Sequence, residues 1–113
     1  MVPFKVMNTS CSDLMHPDYW SANQSESDDI TYHVSRDHKT ARVGFNRPDK
    51  LNAFRPETVD ALLTTLEIIK QRTQIGVVLL TGNGPGRSHG KWSFCTGGDQ
   101  TSRTDHGYAY ADS

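Results

Sequence analysis

The sequence predicts an α/β fold in which a small sheet packs on one helix. Three observations support that prediction. Two short segments, 30–34 and 41–46, alternate apolar and polar residues as half-buried strands do. The segment 56–72 then carries apolar residues at steps of three and four, which is the spacing of an amphipathic helix. A continuous apolar run at 75–81 follows, and such a run is typical of a strand buried on both faces.

Length and composition fit one small domain. The chain has 113 residues, a hydrophobic content of 35% and a formal net charge of -1. No block of like charges is present, which argues against nucleic acid or an anionic membrane as a partner. No run reaches transmembrane length and the N-terminus lacks a secretory pattern, so we predict a cytoplasmic protein. The polar segment 1–28 predicts a loosely ordered lead-in, and 29–113 the domain itself.

The two alternating segments predict a hairpin. Ile30–Val34 is β-branched and alternating, and the polar residues 37–39 after it predict a turn. The second strand, at 41–46, places three apolar residues on one face: Ala41, Val43 and Phe45.

The helix has recognisable ends. Pro56 suits the first helical position, where its missing N–H costs nothing. Glu57 and Asp60 lie in the first turns, and Lys70 and Arg72 lie at the other end, so both ends complement the helix dipole. The predicted apolar stripe consists of Val59, Leu62, Leu63, Leu66 and Ile69.

A glycine-containing segment near the C-terminal end, which we call the glycine turn, spans Phe94 to Gln100. We predict that a short strand at 92–94 leads into it. Two adjacent glycines let backbone N–H groups approach a ligand, and such a group can stabilise an oxyanion. By itself the pattern also fits an ordinary loop. In that reading Asp99 fixes the turn or caps the next helix rather than acting as a base, and Cys95 is a small buried residue rather than a nucleophile.

Three other patterns do not meet their chemical requirements. The glycines at 82–86 follow a predicted strand, but no helix follows to hold a pyrophosphate, so we predict a turn there. Gly90-Lys91 precedes Trp92 where a phosphate-binding loop needs a hydroxyl residue. The histidines lack paired spacing and the two cysteines lie far apart, so no metal site is predicted.

Four segments, taken in order, resemble the crotonase (enoyl-CoA hydratase/isomerase) superfamily. The resemblance extends over about residues 28–110, and the segments are Asn46-Arg47-Pro48, Asn52 to Val59, Gly76 to Gly82 and Phe94 to Gln100. The last segment and Asn52-Ala53-Phe54-Arg55-Pro56 look most like a ring-closing branch of that superfamily. The resemblance implies a ββα spiral, of which this chain would form the N-terminal part as an incomplete domain.

The resemblance also implies a CoA thioester substrate. The branch performs an intramolecular Claisen condensation of o-succinylbenzoyl-CoA in menaquinone biosynthesis. The amide of Gly98 would bind the thioester oxygen and Tyr108 would orient the acyl group. Implied CoA or acyl contacts are Lys50, Ala53, Thr96, Gly97, Gly98, Asp99, Gln100, Arg103 and Tyr108. CoA enters as part of the substrate, and no tightly bound cofactor is expected. Any bicarbonate site would lie in the missing part, and the complete parent would be a homo-oligomer, either a trimer or a hexamer.

The chain departs from that pattern in three ways. Leu51 stands where the family usually has an arginine, and Thr96 stands where serine is commoner. The family's second oxyanion amide comes from a later segment, so we expect the 113-residue chain to be inactive alone. Two alternatives remain. The parent could be another acyl-CoA hydratase or isomerase, or the chain could be a non-catalytic remnant that binds CoA weakly or pairs with full-length subunits.

Overall fold

The computed structural model describes residues 14–100, together with the backbone of 103–104 and 107–108. Its strands and helix are β1 (Ile30–Val34), β2 (Thr40–Phe45), α1 (Pro56–Lys70), β3 (Val77–Gly82), β4 (Arg103–Thr104) and β5 (Gly107–Tyr108). Two short 3-10 helices lie at Pro17–Tyr19 and Pro48–Lys50. No helix within the described ranges combines the length and apolar character needed to cross a membrane.

The main sheet has three strands in the order β1-β2-β3. β1 and β2 are antiparallel, with Ile30 opposite Phe45, which confirms the predicted hairpin. β2 and β3 are parallel, with Phe45 opposite Gly82, and α1 lies on the connection between them. In the hairpin turn, His38 has a positive φ of 61°, and the Asp37 carboxylate accepts from the Ser35 hydroxyl at 2.6 Å.

The core lies on one face of β1 and β2. Its buried members are Ile30, Tyr32, Val34, Ala41, Val43, Phe45 and Ile69. Cys95 packs against this cluster as a partly buried free thiol, although we predicted a buried one, and its lack of a nucleophilic role stays a prediction.

The segment before β1 is hydrogen-bonded along that strand. The Ser21 amide donates to the Val34 carbonyl and the Gln24 amide donates to the Tyr32 carbonyl, both at 2.8 Å. Trp20 is buried, and its indole N–H donates to the Leu14 carbonyl at 2.8 Å. A domain boundary at residue 28 stays a prediction, and residues 1–13 lie outside the described part.

The predicted apolar stripe on α1 is only partly correct. Ile69 is buried as expected, but Leu63 is 60% exposed, and the other buried helix positions are Thr58 and Thr65. These two threonines can be buried because both of their hydroxyl groups form hydrogen bonds. The Thr58 hydroxyl donates to Asp29 at 2.7 Å, and the Thr65 hydroxyl donates to the Ala61 carbonyl at 2.8 Å.

The prediction that the third strand is buried on both faces is wrong for this chain. The side chains of β3 from Val77 to Leu80 are between 36% and 53% exposed. β3 is an edge strand of the sheet, and α1 packs on β1 and β2 instead. The apolar run therefore forms a strand whose apolar side chains are partly exposed.

The short strand predicted at 92–94 is also absent; these residues are irregular. They run past the end of β3, so close that a Cβ at Gly82 would overlap the carbonyl oxygens of Ser93 and Phe94.

Candidate functional site

The loop before α1, residues 47–55, meets the glycine turn through a parallel bridge between Phe54 and Gly98. The Phe54 amide donates to the Gly97 carbonyl at 2.9 Å, and the Asp99 amide donates to the Phe54 carbonyl at 2.7 Å. These two bonds use the carbonyl before Gly98 and the amide after it. In a parallel bridge, the N–H of Gly98 itself therefore points away from Phe54.

The Gly98 amide donates to no acceptor among residues 14–100. Gly97, one residue earlier, has φ of +101°, a conformation that favours glycine. Gly98 lies outside that region. The first glycine therefore makes the bend, and the second presents an unused donor.

Asp99 is fixed by an ion pair. Its carboxylate lies 2.9 Å from Arg47 Nη1, and the two side chains are only 8% and 13% exposed. The same Arg47 nitrogen donates to the Ala53 carbonyl at 2.7 Å. The pair therefore ties the glycine turn to the loop before α1, as expected of an aspartate that fixes a turn. A substrate contact by Asp99 stays a prediction.

The remaining predicted contacts in this region lie on the same two loops. The Thr96 hydroxyl donates to the Leu51 carbonyl at 3.2 Å, which brings the position next to Lys50 against the glycine turn. Lys50 and Gln100 are exposed and Ala53 is partly buried. The structure thus brings together Lys50, Ala53 and residues 96–100, which are far apart in sequence.

Asn52 is a structural residue whose role was not predicted from the sequence. It is 1% exposed and has φ of 56°, a left-handed conformation that asparagine tolerates. Its side-chain oxygen accepts from the Arg47 amide at 2.8 Å. Its side-chain nitrogen donates to the carbonyls of Asn83 at 2.9 Å and Ser93 at 2.8 Å. One side chain therefore joins the loop before α1, the end of β3 and the segment leading to the glycine turn.

Asp29 was also missed, because it looks like the end of a polar lead-in. It is 4% exposed and accepts from Arg55 Nε at 2.8 Å, from Arg55 Nη2 at 2.9 Å and from the Thr58 hydroxyl at 2.7 Å. The hydrogen bonds from Arg55 hold the pKa of the Asp29 carboxyl below its ordinary value, with Thr58 assisting, although burial acts in the opposite direction. The same pairing raises the pKa of Arg55. This cluster fixes the start of α1.

An apolar cavity of about 270 Å³ lies beside the glycine turn. Its lining residues are Phe45, Phe54, Thr58, Val59, Leu62, Leu80, Phe94 and Cys95. Phe94 and Cys95 of the glycine turn line this cavity together with Phe54, the bridge partner of Gly98, whereas Gly98 itself is not a lining residue. The glycine turn therefore carries the Gly98 amide and also borders space for an apolar group.

Arg103 and Tyr108 face each other across the β4–β5 ladder, but their side chains lie outside the described part of the chain. Their contacts with an acyl group therefore stay predictions. Among the described residues, no three His, Cys, Asp or Glu side chains gather as a metal site requires.

Two comparisons with known proteins found matches to this chain. The family model for enoyl-CoA hydratase/isomerase matches residues 36–113. A Mycobacterium tuberculosis (strain H37Rv) protein named 1,4-dihydroxy-2-naphthoyl-CoA synthase is 55% identical over 83 residues, covering 74% of this chain and 26% of that protein. A protein of the same name from Mycolicibacterium smegmatis is 49% identical over 87 residues, covering 74% and 28%. The chain therefore spans about a quarter of the length of these curated relatives.

Proposed function

Because the chain belongs to the enoyl-CoA hydratase/isomerase (crotonase) family, we propose that it forms the acyl-CoA-binding N-terminal portion of a lyase-type enzyme with the ββα spiral fold. The proposed reaction is the intramolecular Claisen condensation of o-succinylbenzoyl-CoA to 1,4-dihydroxy-2-naphthoyl-CoA in menaquinone biosynthesis. The names of the mycobacterial relatives support this choice within the family.

The observation that carries the proposal is the Gly98 amide, which has no acceptor among residues 14–100 and belongs to a turn that borders an apolar cavity. Ring closure passes through an enolate next to a thioester, and the negative charge that develops on the thioester oxygen needs a donor. Removing one donor of this kind typically costs about 10²–10³ in rate. The bridge to Phe54 holds the glycine turn in place, so the donor is oriented before substrate binds.

The other roles follow from the same proposal. Lys50, Ala53 and residues 96–100 contact CoA or the acyl group, while Arg103 and Tyr108 contact the acyl group from the β4–β5 ladder. CoA is part of the substrate and no tightly bound cofactor is required. A bicarbonate site, where the parent has one, lies outside this chain. The parent acts as a cytoplasmic homo-oligomer, a trimer or hexamer, without nucleic acid or membrane partners.

A chimera tests the proposal. Residues 28–110 replace the matching segment of the Mycobacterium tuberculosis relative, and turnover of o-succinylbenzoyl-CoA is measured. We expect the chimera to be active and the 113-residue chain alone to be inactive.

Two substitutions at one position then test the donor. Gly98→Pro removes the N–H, and we expect kcat in the chimera to fall by about 10²–10³. Gly98→Ala retains the N–H, and Gly98 does not have a positive φ, so this matched control should keep most of its activity. Equal losses in the two variants would remove the basis for the donor role. A chimera that hydrates enoyl-CoA but does not close the ring would place the chain with the hydratases.

A further inference from the structure

A second cavity lies on the outer face of the main sheet, opposite the core. We call it the outer-face cavity; its volume is about 590 Å³. His33, Arg42 and Leu79 lie side by side across the three strands on its floor. Trp20 and Trp92 belong to its walls. The residues that line it include no aspartate or glutamate.

Arg42 is the charged residue among those that line this cavity, and it has no acidic partner within residues 14–100. Among the described residues, its guanidinium takes part in no ion pair or side-chain hydrogen bond. By contrast, Arg47 pairs with Asp99, and Arg55 pairs with Asp29. Burial lowers the pKa of Arg42, and no neighbouring carboxylate raises it. A partly buried cation without a counter-ion is unfavourable, so the site favours an anion.

The geometry around Arg42 also restricts the shape of that anion. The Arg42 guanidinium carbon lies 4.7 Å from the centre of the Trp20 ring, so stacking occupies one face of the group. Because the guanidinium makes no hydrogen bond within residues 14–100, its fork of N–H groups suits a planar carboxylate. With one cation in the cavity, a monoanion balances the charge better than a phosphate dianion does.

Trp92 supplies a surface for the rest of the ligand. Its side chain is 69% exposed, and its ring lies against Gly84, where a Cβ would come within 3.1 Å of the indole. Leu79 adds an apolar floor that is 36% exposed. An aromatic ring attached to the carboxylate would cover both side chains, whereas a bare anion would leave them in water.

We propose that the outer-face cavity binds a small aromatic carboxylate, with Arg42 holding the carboxylate group and Trp92 contacting the ring. This site lies on the opposite face of the sheet from the core-side cavity beside the glycine turn. It does not depend on the proposed ring-closing reaction.

The test uses the 113-residue chain and three probes: benzoate, the uncharged benzamide and the non-aromatic cyclohexanecarboxylate. Binding is followed by NMR through the indole N–H signals of Trp20 and Trp92. We expect benzoate to shift both signals with saturation, cyclohexanecarboxylate to bind several-fold more weakly, and benzamide to give no saturable shift. Absence of benzoate binding, or equal binding of benzamide, would overturn the proposal.

Substitutions separate a specific site from general attraction. Arg42→Met should weaken benzoate binding at least tenfold, and Arg42→Lys, which keeps the charge but loses the fork, should lie between. Arg36→Met is the matched control, because Arg36 is exposed and does not line the cavity. Trp92→Leu leaves Arg42 in place and should remove the preference for benzoate over cyclohexanecarboxylate. Unchanged benzoate binding in Arg42→Met, or an equal loss of binding in Arg36→Met, would refute the site. If Arg42→Met does not fold, the benzoate affinity of Arg42→Lys tests the role of Arg42 instead.

Discussion

Replacement of Asp29 by asparagine tests the cluster that joins the sheet to the helix. Asp29 immediately precedes β1, and it accepts three hydrogen bonds from two residues in the first turn of α1 and its cap, Arg55 and Thr58. Asparagine has nearly the same shape but no charge, and its nitrogen donates where the carboxylate oxygen accepted. The substitution therefore removes the ion pair with Arg55 and places the asparagine NH2 group against a donor of Arg55 or Thr58.

The expected loss of stability follows from how deeply each partner is buried. Breaking a buried ion pair by removing one partner costs about 3–5 kcal/mol. The side chain of Asp29 is 6% exposed but that of Arg55 is 40% exposed, so Arg55 can regain water once its partner is lost. Discounting for this, we expect a loss of about 2 kcal/mol. At about 4–8 °C per kcal/mol, the melting temperature should fall by about 8–16 °C.

The effect should depend on pH in a defined direction. The pKa of Asp29 is lower in the folded chain than its unfolded value of about 3.9, mainly because of the hydrogen bonds from Arg55. A group of this kind contributes stability that is fully present above the unfolded pKa and is lost as the pH falls through the folded pKa. The difference between wild type and Asp29→Asn should therefore be constant above about pH 5 and should shrink below about pH 4.

Urea unfolding followed by circular dichroism, at several pH values, measures both quantities. Asp28→Asn is the matched control, because Asp28 is adjacent in sequence but exposed. We expect the control to change the free energy of unfolding by less than about 0.5 kcal/mol. If Asp29→Asn behaves like Asp28→Asn, or if its deficit does not change between pH 6 and pH 3, the reasoning about this ion pair is wrong.

Two further predictions concern the connection to the glycine turn, and the same unfolding assay checks both. Gly82→Ala should lower the free energy of unfolding by about 1–3 kcal/mol, because the new Cβ meets backbone oxygens that cannot move aside. Gly76→Ala should lower it by at most about 0.5 kcal/mol, because no atom lies within 4 Å of its Cβ position. Equal effects of the two substitutions would contradict the close approach at Gly82. Asp99→Asn and Arg47→Met should each lower the free energy of unfolding by about 3 kcal/mol. A double-mutant cycle should give a coupling energy above about 1 kcal/mol. Additive effects would show that the two side chains do not act as a unit.

The local elements could be predicted from the sequence because each depends on short-range patterns. The alternation in Ile30–Val34 and the proline at position 56 place a strand and a helix start correctly. The face that each element buries depends on tertiary partners, which periodicity does not report. Thr58 is buried although Leu63 is exposed, because the Thr58 hydroxyl forms a hydrogen bond with Asp29. The run in β3 indicated apolar character correctly, but not whether anything covers the strand in this chain.

The candidate site also combines a feature that the sequence predicts with features that it does not predict. The Gly97-Gly98 pair is visible in the sequence because only a few residue types allow such a bend. The residues that hold it in place are not visible, since Arg47 and Asp99 are ion-paired across more than fifty positions and Asn52 joins three segments by side-chain hydrogen bonds. A buried asparagine with a positive φ carries no signal in its local sequence beyond being a residue that tolerates that conformation.

The register of one bridge determines whether the proposed donor is available. Phe54 uses both its own amide and its own carbonyl in the bridge, so the bonds on the other strand fall on Gly97 and Asp99. A shift of one residue would make the Gly98 amide or carbonyl a bridge partner, and the donor would be consumed. Three features oppose that shift: the positive φ of Gly97, the ion pair of Asp99 with Arg47, and the hydrogen bond from Thr96 to Leu51. Their combined effect is to keep the Gly98 amide without an acceptor among residues 14–100, which is the condition that the proposed donor role requires.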